Sequence, residues 1–287
     1  MFGRTVACLA FSAIAATSVA AQERELVFAV TEGVTYQATP KEVRDKFTPI
    51  ADVIAKATGR RVRTVLVPAY DDLRAGLAKQ EYDIAFVHPA HLSFTEIKAG
   101  RYKAAAWTSG FTEYTVAFLM NPDQPLKSLD DLKGHTVVTP DPDSITTAMV
   151  RAVLRVADLP VVTAPPTAAT TAQDPTKVRL IATRYQDAVP FYIENGFAQV
   201  GATAARAVIK AWTDKGGKVL AQSRAVPIKQ FIVSTKLPPE EQTRVRETLV
   251  NMANTKPGRD ALELTGYKGF VAPDPQIELA SITWLGL

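Results

Sequence analysis

The sequence predicts an α/β fold of two lobes joined by two hinge-crossing strands. Three observations carry this. Short apolar strand-like runs alternate with capped, helix-period stretches, the pattern of a mostly parallel sheet flanked by helices. A helix end, a tight turn and a strand finishing in small residues occur at 79–85 and again at 194–201, once in each half. Two apolar extended stretches, near 114–120 and 226–234, are placed to cross between the halves. The boundaries that follow are a leader at 1–21, lobe one at 22–116, lobe two at 117–227, and a return to lobe one with a C-terminal tail at 228–287.

The first lobe opens with a strand at 26–30, all apolar from Leu26 to Val30. Thr39 then caps a helix, with Pro40 at its first position and Glu42 spaced to close a capping box. Phe47, Ile50, Ala51 and Ile54 recur at helical spacing on one face, and Gly59 marks the stop. A strand at 62–67, a helix at 72–79 capped by Asp71, and a strand at 83–87 complete a β-α-β-α-β unit.

In the second lobe, Ser128-Leu129-Asp130-Asp131-Leu132-Lys133-Gly134 reads as a small capped helix leading into a strand at 136–138. Ser144 caps a helix at 145–157 whose apolar face is Ile145, Ala148, Met149, Ala152, Val153 and Val156. A strand at 178–182, a helix at 187–195 capped by Asp187, and a strand at 198–202 follow. The stretch 160–175, rich in Pro, Thr and Ala, predicts an exposed loop. Beyond it come a crossing strand at 229–234, a helix opened by Pro238-Pro239-Glu240-Glu241, and a tail expected on lobe one.

The N-terminus points to export. Arg4, an apolar run from Val6 to Ala16 and the small residues ending at Ala21 have the form of a cleavable secretory signal peptide. The chain has one cysteine, Cys8, inside that leader and too early for a lipid anchor. The exported part is then expected to be free of disulfides and to rely on a large core. A net charge of +4, with acids and bases interspersed, gives no footprint for nucleic acid or a membrane surface.

Catalytic motifs are sparse. His88 and His91 flank Pro89 and cannot form a helical metal pair, and no Gly-x-Ser-x-Gly elbow, Walker loop or Gly-x-Gly-x-x-Gly occurs. No cofactor, metal or catalytic residue is expected. Binding candidates are better placed. Asp143-Ser144-Ile145-Thr146-Thr147 opens a helix directly after a strand and turn, where free N–H groups and the hydroxyls of Ser144, Thr146 and Thr147 could cradle an anion. A plain N-cap explains Ser144 equally, and the Asp143 carboxylate would compete for the same donors. His88 follows a strand end, where ligand contacts belong in such sheets. Tyr36 and Tyr70 lie at matching mouths in lobe one, and Tyr185 and Gln186 in lobe two. Arg151 and Arg155 read as a solvated helix face, and Lys229 lies on a crossing strand within reach of the cleft.

These pieces resemble a known family. Phe47-Thr48-Pro49-Ile50, Tyr70-Asp71-Asp72-Leu73, the run from Tyr82 to Ala90, Ser128 to Gly134, and the closing stretch from Ile228 to Pro239 with Tyr267-Lys268-Gly269-Phe270 carry the resemblance. Their order and spacing look like the phosphate/phosphite/phosphonate-type periplasmic binding proteins of ABC importers, within the type 2, transferrin-like periplasmic binding fold. The resemblance implies a periplasmic monomer that captures a small anionic solute between its lobes and delivers it to an inner-membrane permease. It also implies that the oxyanion sits at the helix start 143–147. The chain departs from the pattern at Ile145 and Thr147. Tyr185-Gln186-Asp187 stands where a histidine is common, and Gln199 where an aspartate is usual. A larger or differently charged solute therefore stays open. So do a sensor role beside a membrane histidine kinase and, in another class, an exported enzyme on the same fold.

Overall fold

The structure, a computed structural model, describes residues 24–32 and 39–287. The leader and Tyr36 lie outside the described residues. In chain order the strands are β1 (Leu26–Thr31), β2 (Val62–Leu66), β3 (Ile84–Val87), β4 (Tyr102–Thr108), β5 (Ala117–Met120) and β6 (Thr136–Thr139). They continue as β7 (Val161–Thr163), β8 (Val178–Ala182), β9 (Val200–Thr203), β10 (Lys218–Gln222), β11 (Gln230–Ser234) and β12 (Phe270–Val271). Two sheets result, ordered β12-β4-β11-β3-β1-β2 and β10-β5-β9-β6-β8-β7.

The two sheets repeat one plan. β1 pairs in parallel with β2 and β3, and β6 pairs in parallel with β8 and β9. Each sheet then receives one antiparallel strand from a crossing, β11 beside β3 and β5 beside β9. The crossings meet at a two-residue antiparallel bridge, Tyr114 to Val226, with N–H···O=C distances of 3.1 and 3.0 Å. The echo between 79–85 and 194–201 lands on β3 and β9, which hold equivalent places in the two sheets.

Local signals account for the helices around the first sheet. Helix α1 (Pro40–Thr58) has the full Thr39–Glu42 capping box and ends on Gly59 at φ 71°, the left-handed conformation that costs glycine little. It buries Phe47, Ile50, Ala51 and Ile54 against the sheet. Helix α2 (Tyr70–Lys79) starts two residues earlier than Asp71 capping requires; its N-cap is Ala69, so Tyr70 is the first helical residue. Asp71 instead accepts from Arg74 at 2.8 Å. Helix α3 (Ala90–Lys98) follows β3 directly.

In the second half, α4 (Ile145–Val156) is capped by Ser144, whose Oγ accepts from the Thr147 N–H. Its buried arc is broader than one face, because Val150 and Leu154 are buried too, while Val156 at the helix end is 64% exposed. The stretch read as a helix at 187–195 splits into a 3₁₀ turn at Gln186–Ala188 and α5 (Val189–Glu194). Asp187 lies inside the turn, exposed, and caps nothing. Helix α6 (Arg206–Asp214) follows β9. The stretch 160–175 contains the edge strand β7 and a 3₁₀ turn at Pro166–Thr170. Buried Arg179 secures it by donating to the carbonyls of Ala168, Thr171 and Ala172.

The C-terminal third includes α7 (Pro239–Val250), α8 (Lys256–Thr265) and α9 (Pro275–Leu285). Helices α7 and α8 pack on α1 of the first sheet, whereas α9 touches both α3 and α4. One apolar cluster therefore runs from Phe94 through Val150 and Leu154 to Ile282 and Leu285, and it joins the two halves. Among the described residues no helix is long and apolar enough to cross a membrane.

Candidate functional site

A cleft of about 400 Å³ lies between the sheets. Tyr70, His88 and Pro89 line it from the first sheet's side, and Tyr114 and Ile228 from the crossings. Ser144, Ile145, Thr146, Tyr185, Gln186, Asp187, Ala205 and Val208 line it from the second. The geometry follows from strand direction. His88 directly follows β3, Ala205 lies just past β9, and Ser144 and Gln186 sit on the connections leaving β6 and β8. Every one of these stands at a carboxyl end of the parallel strands, where loops and helix starts converge.

The second sheet's wall is an ordered polar network. The Gln186 amide oxygen accepts from the Ala204 N–H at 2.7 Å and from the Thr203 hydroxyl at 3.0 Å. Those two donors fix its orientation, so its Nε2 donates to the Tyr114 hydroxyl at 3.1 Å. The Tyr114 hydroxyl in turn lies 3.2 Å from Thr146 Oγ1. Burial first of all holds the Tyr114 phenol above its usual pKa. Four chain segments thus meet at one point: the β8 exit, the β9 exit, the first crossing and the first turn of α4.

Ser144, 7% exposed, serves as the α4 cap and also contacts the Thr147 hydroxyl at 3.2 Å. Thr147 stands behind it, its own hydroxyl donating to the Asp141 carbonyl at 2.8 Å. Asp143 does not compete for the helix N–H groups. Its carboxylate accepts from Arg74 of α2 at 2.5 Å, an ion pair that spans the two halves beside the cleft.

On the other wall, the His88 ring is buried, with Nδ1 2.7 Å from the Glu32 carbonyl oxygen. That contact requires the proton on Nδ1. Burial, followed by nearby Lys229, lowers the imidazole pKa to about 3, so the ring is neutral. Behind it lies a buried charged group. Lys46 donates to Glu32 at 2.6 Å, Tyr267 donates to the same carboxylate, and Lys229 donates to the Tyr267 hydroxyl at 3.2 Å. Burial pushes the Glu32 carboxyl up, but Lys229, Lys46 and Tyr267 outweigh it and hold it below the usual range. Burial also lowers Lys229 to about 8, against the opposing pull of Glu32.

Of the residues singled out from sequence, Tyr70, His88, Ser144, Thr146, Tyr185 and Gln186 line the cleft together. Thr147 is packed behind the wall, and Lys229 is buried behind His88 rather than lining it. Sequence reading missed Tyr114, Ile228 and Val208. Tyr114 and Ile228 were legible only as members of the two crossings, and nothing in the local pattern marks Val208. Gln199 lies at the opposite end of the sheet, where its side chain accepts from the Thr136 N–H at 3.0 Å, so its departure from the family pattern has no bearing on this cleft. Arg151 donates to Thr163, and Arg155 reaches the Trp284 carbonyl on α9. Among the described residues no group of three or more His, Cys, Asp or Glu side chains is placed to hold a metal ion.

Two sheets with antiparallel crossing strands, and a cleft at the strand ends between them, define a two-lobed periplasmic binding protein. The chain belongs to the family of ABC transporter, phosphonate, periplasmic substrate-binding proteins, whose pattern matches residues 33–277. That family is the substrate-binding component of a transporter and not an enzyme. Solved structures agree on the fold. XAC2383 from Xanthomonas citri, solved bound to ATP, is 15% identical with a TM-score of 0.75, over 91% of this chain and 97% of that one. PhnD1 from Prochlorococcus marinus, in complex with methylphosphonate, is 12% identical with a TM-score of 0.60, over 91% and 97%. A binding protein component of an ABC phosphonate transporter from Pseudomonas aeruginosa is 16% identical with a TM-score of 0.56, over 91% and 85%.

Proposed function

We propose that this chain captures a small oxyanion of the phosphonate or phosphite class in the inter-lobe cleft and presents it to an inner-membrane ABC permease. In this reading the lobes are 22–116 with 228–287 and 117–227, the leader 1–21 is removed on export, and the protein works as a periplasmic monomer. The oxyanion rests against the first turn of α4, with Ser144 and Thr146 as hydroxyl contacts and Tyr70, His88, Tyr185 and Gln186 around it. The observation that carries the reading is the convergence of both sheets' strand ends on one cleft whose wall includes the α4 start. There the unpaired N–H groups favour negative charge. The pairing of Asp143 with Arg74 supports it, because it takes the Asp143 carboxylate away from those donors. Closure of the lobes over the solute would then give the permease a surface made of both.

A thermal-shift screen tests this. Phosphite, methylphosphonate, sulfonates, dicarboxylates and amino acids are each added to the purified protein. A ligand at ~1,000 times its Kd stabilises by about 4 kcal/mol, a plainly visible rise in Tm. The expected result is a shift with phosphonate or phosphite that the Ser144→Ala, Thr146→Ala double variant abolishes. A shift confined to amino acids or dicarboxylates would sink the oxyanion assignment.

A further inference from the structure

We infer that the solute carries an uncharged, apolar substituent of about aromatic-ring size on its oxyanion, in preference to a methyl group or an aminoalkyl chain. The inference rests on the reading above, which puts the oxyanion at Ser144 and Thr146. Three properties of the cleft lead to it.

The first is size. A volume of about 400 Å³, in a cleft that opens to solvent, corresponds to roughly thirteen waters at ~30 Å³ each and has room for more than a bare oxyanion. A methyl-substituted oxyanion would leave most of it to solvent. The second is the wall. Away from the hydroxyls, the lining is Ile145, Val208 and Ile228 with the rings of Tyr70 and Tyr185. Tyr114 adds a third ring, held in place by Gln186 and Thr146. Such a surface gains by covering apolar area, and aromatic faces favour a ring. The third is charge. Among the described lining residues the one carboxylate is Asp187, which is exposed, and Asp143 is already paired with Arg74. An ammonium drawn into the cleft would lose its water without a buried partner to replace it.

Calorimetric titration of the purified protein with phenylphosphonate, methylphosphonate and 2-aminoethylphosphonate, in one buffer, tests this. Phenylphosphonate is expected to bind at least about tenfold tighter than either of the others, from the extra apolar area covered. Val208→Asp, which puts a carboxylate on the apolar wall, is expected to erase that advantage, with ligand-free melting reporting its fold. Should that variant not fold, Val208→Ala is expected to reduce the phenyl-to-methyl ratio about threefold. Equal affinities, or a preference for the methyl or aminoethyl compound, would overturn this inference and leave the oxyanion reading standing. Failure of all three to bind would overturn both.

Discussion

Replacing Gln186 by Glu separates the cleft's architecture from its charge. The new side chain keeps an oxygen where the Ala204 N–H and the Thr203 hydroxyl donate, at 2.7 and 3.0 Å, so those buried donors stay satisfied. What is lost is the amide donation to Tyr114, whose hydroxyl can turn and donate to the carboxylate instead. The stability change should therefore stay within about 1 kcal/mol, the net worth of one hydrogen bond. Anion binding should suffer far more. Two like charges ~5 Å apart repel by roughly 3 kcal/mol at an effective dielectric of ~20, which corresponds to about a hundredfold loss of affinity. Gln186→Leu, by contrast, strands two donors and should cost ~2–3 kcal/mol in stability. Chemical denaturation and calorimetric titration read the two effects independently. If Gln186→Glu folds normally and binds its oxyanion with unchanged affinity, negative charge is not held at this wall and the site assignment fails.

Three further outcomes follow from the same contacts. Ser144→Ala removes the α4 cap and should lower unfolding stability by ~1 kcal/mol, with Ser144→Thr largely restoring it in denaturant titrations. His88 and His91 are lowered to about 3 and about 4, in both cases first by burial and next by Lys229 and Arg74 respectively. Their contribution is fully present above the unfolded value of ~6.5 and is lost as pH falls toward the folded values, because the unfolded chain binds the protons first. Each should cost roughly 2 kcal/mol by about pH 5. Urea denaturation between pH 7 and 5 measures this, and a flat profile would contradict it. The Arg74–Asp143 pair, with both side chains part exposed, should show a coupling below about 1 kcal/mol in a double-mutant cycle that weakens further with added salt.

Features with local causes were readable in the sequence. The Thr39–Glu42 box, the Gly59 stop, the Ser144 cap and the strand at 178–182 each depend on residues a few positions apart, and each is found where the pattern put it. Misreadings arose where a distant partner outcompeted the local signal. Asp71 gave up capping for Arg74, and Asp187 was left exposed in a 3₁₀ turn. On α4, the apolar pattern identified Ile145, Met149 and Ala152. It could not foresee that α3 and α9 would also cover Val150 and Leu154, while Val156 runs past that cover. The stretch from 90 to 113 went unread because α3 and β4 are short and buried on more than one side, which blurs a single-face period. Helix α6 is short and mostly exposed, with Trp212 its one buried residue.

Periodicity, capping and turn chemistry alone determined that this chain is an α/β protein of two repeating halves with two crossings, since those signals act over a few residues. Six members of the cleft could likewise be named from their places after strands. Only the tertiary structure decided which of them meet, because that depends on strand order, and strand order is set by contacts far apart in sequence. It placed Tyr114 between Gln186 and Thr146 and turned Asp143 toward Arg74. It also sent Gln199 to the other end of the sheet, where it accepts from the Thr136 N–H across 63 positions of chain.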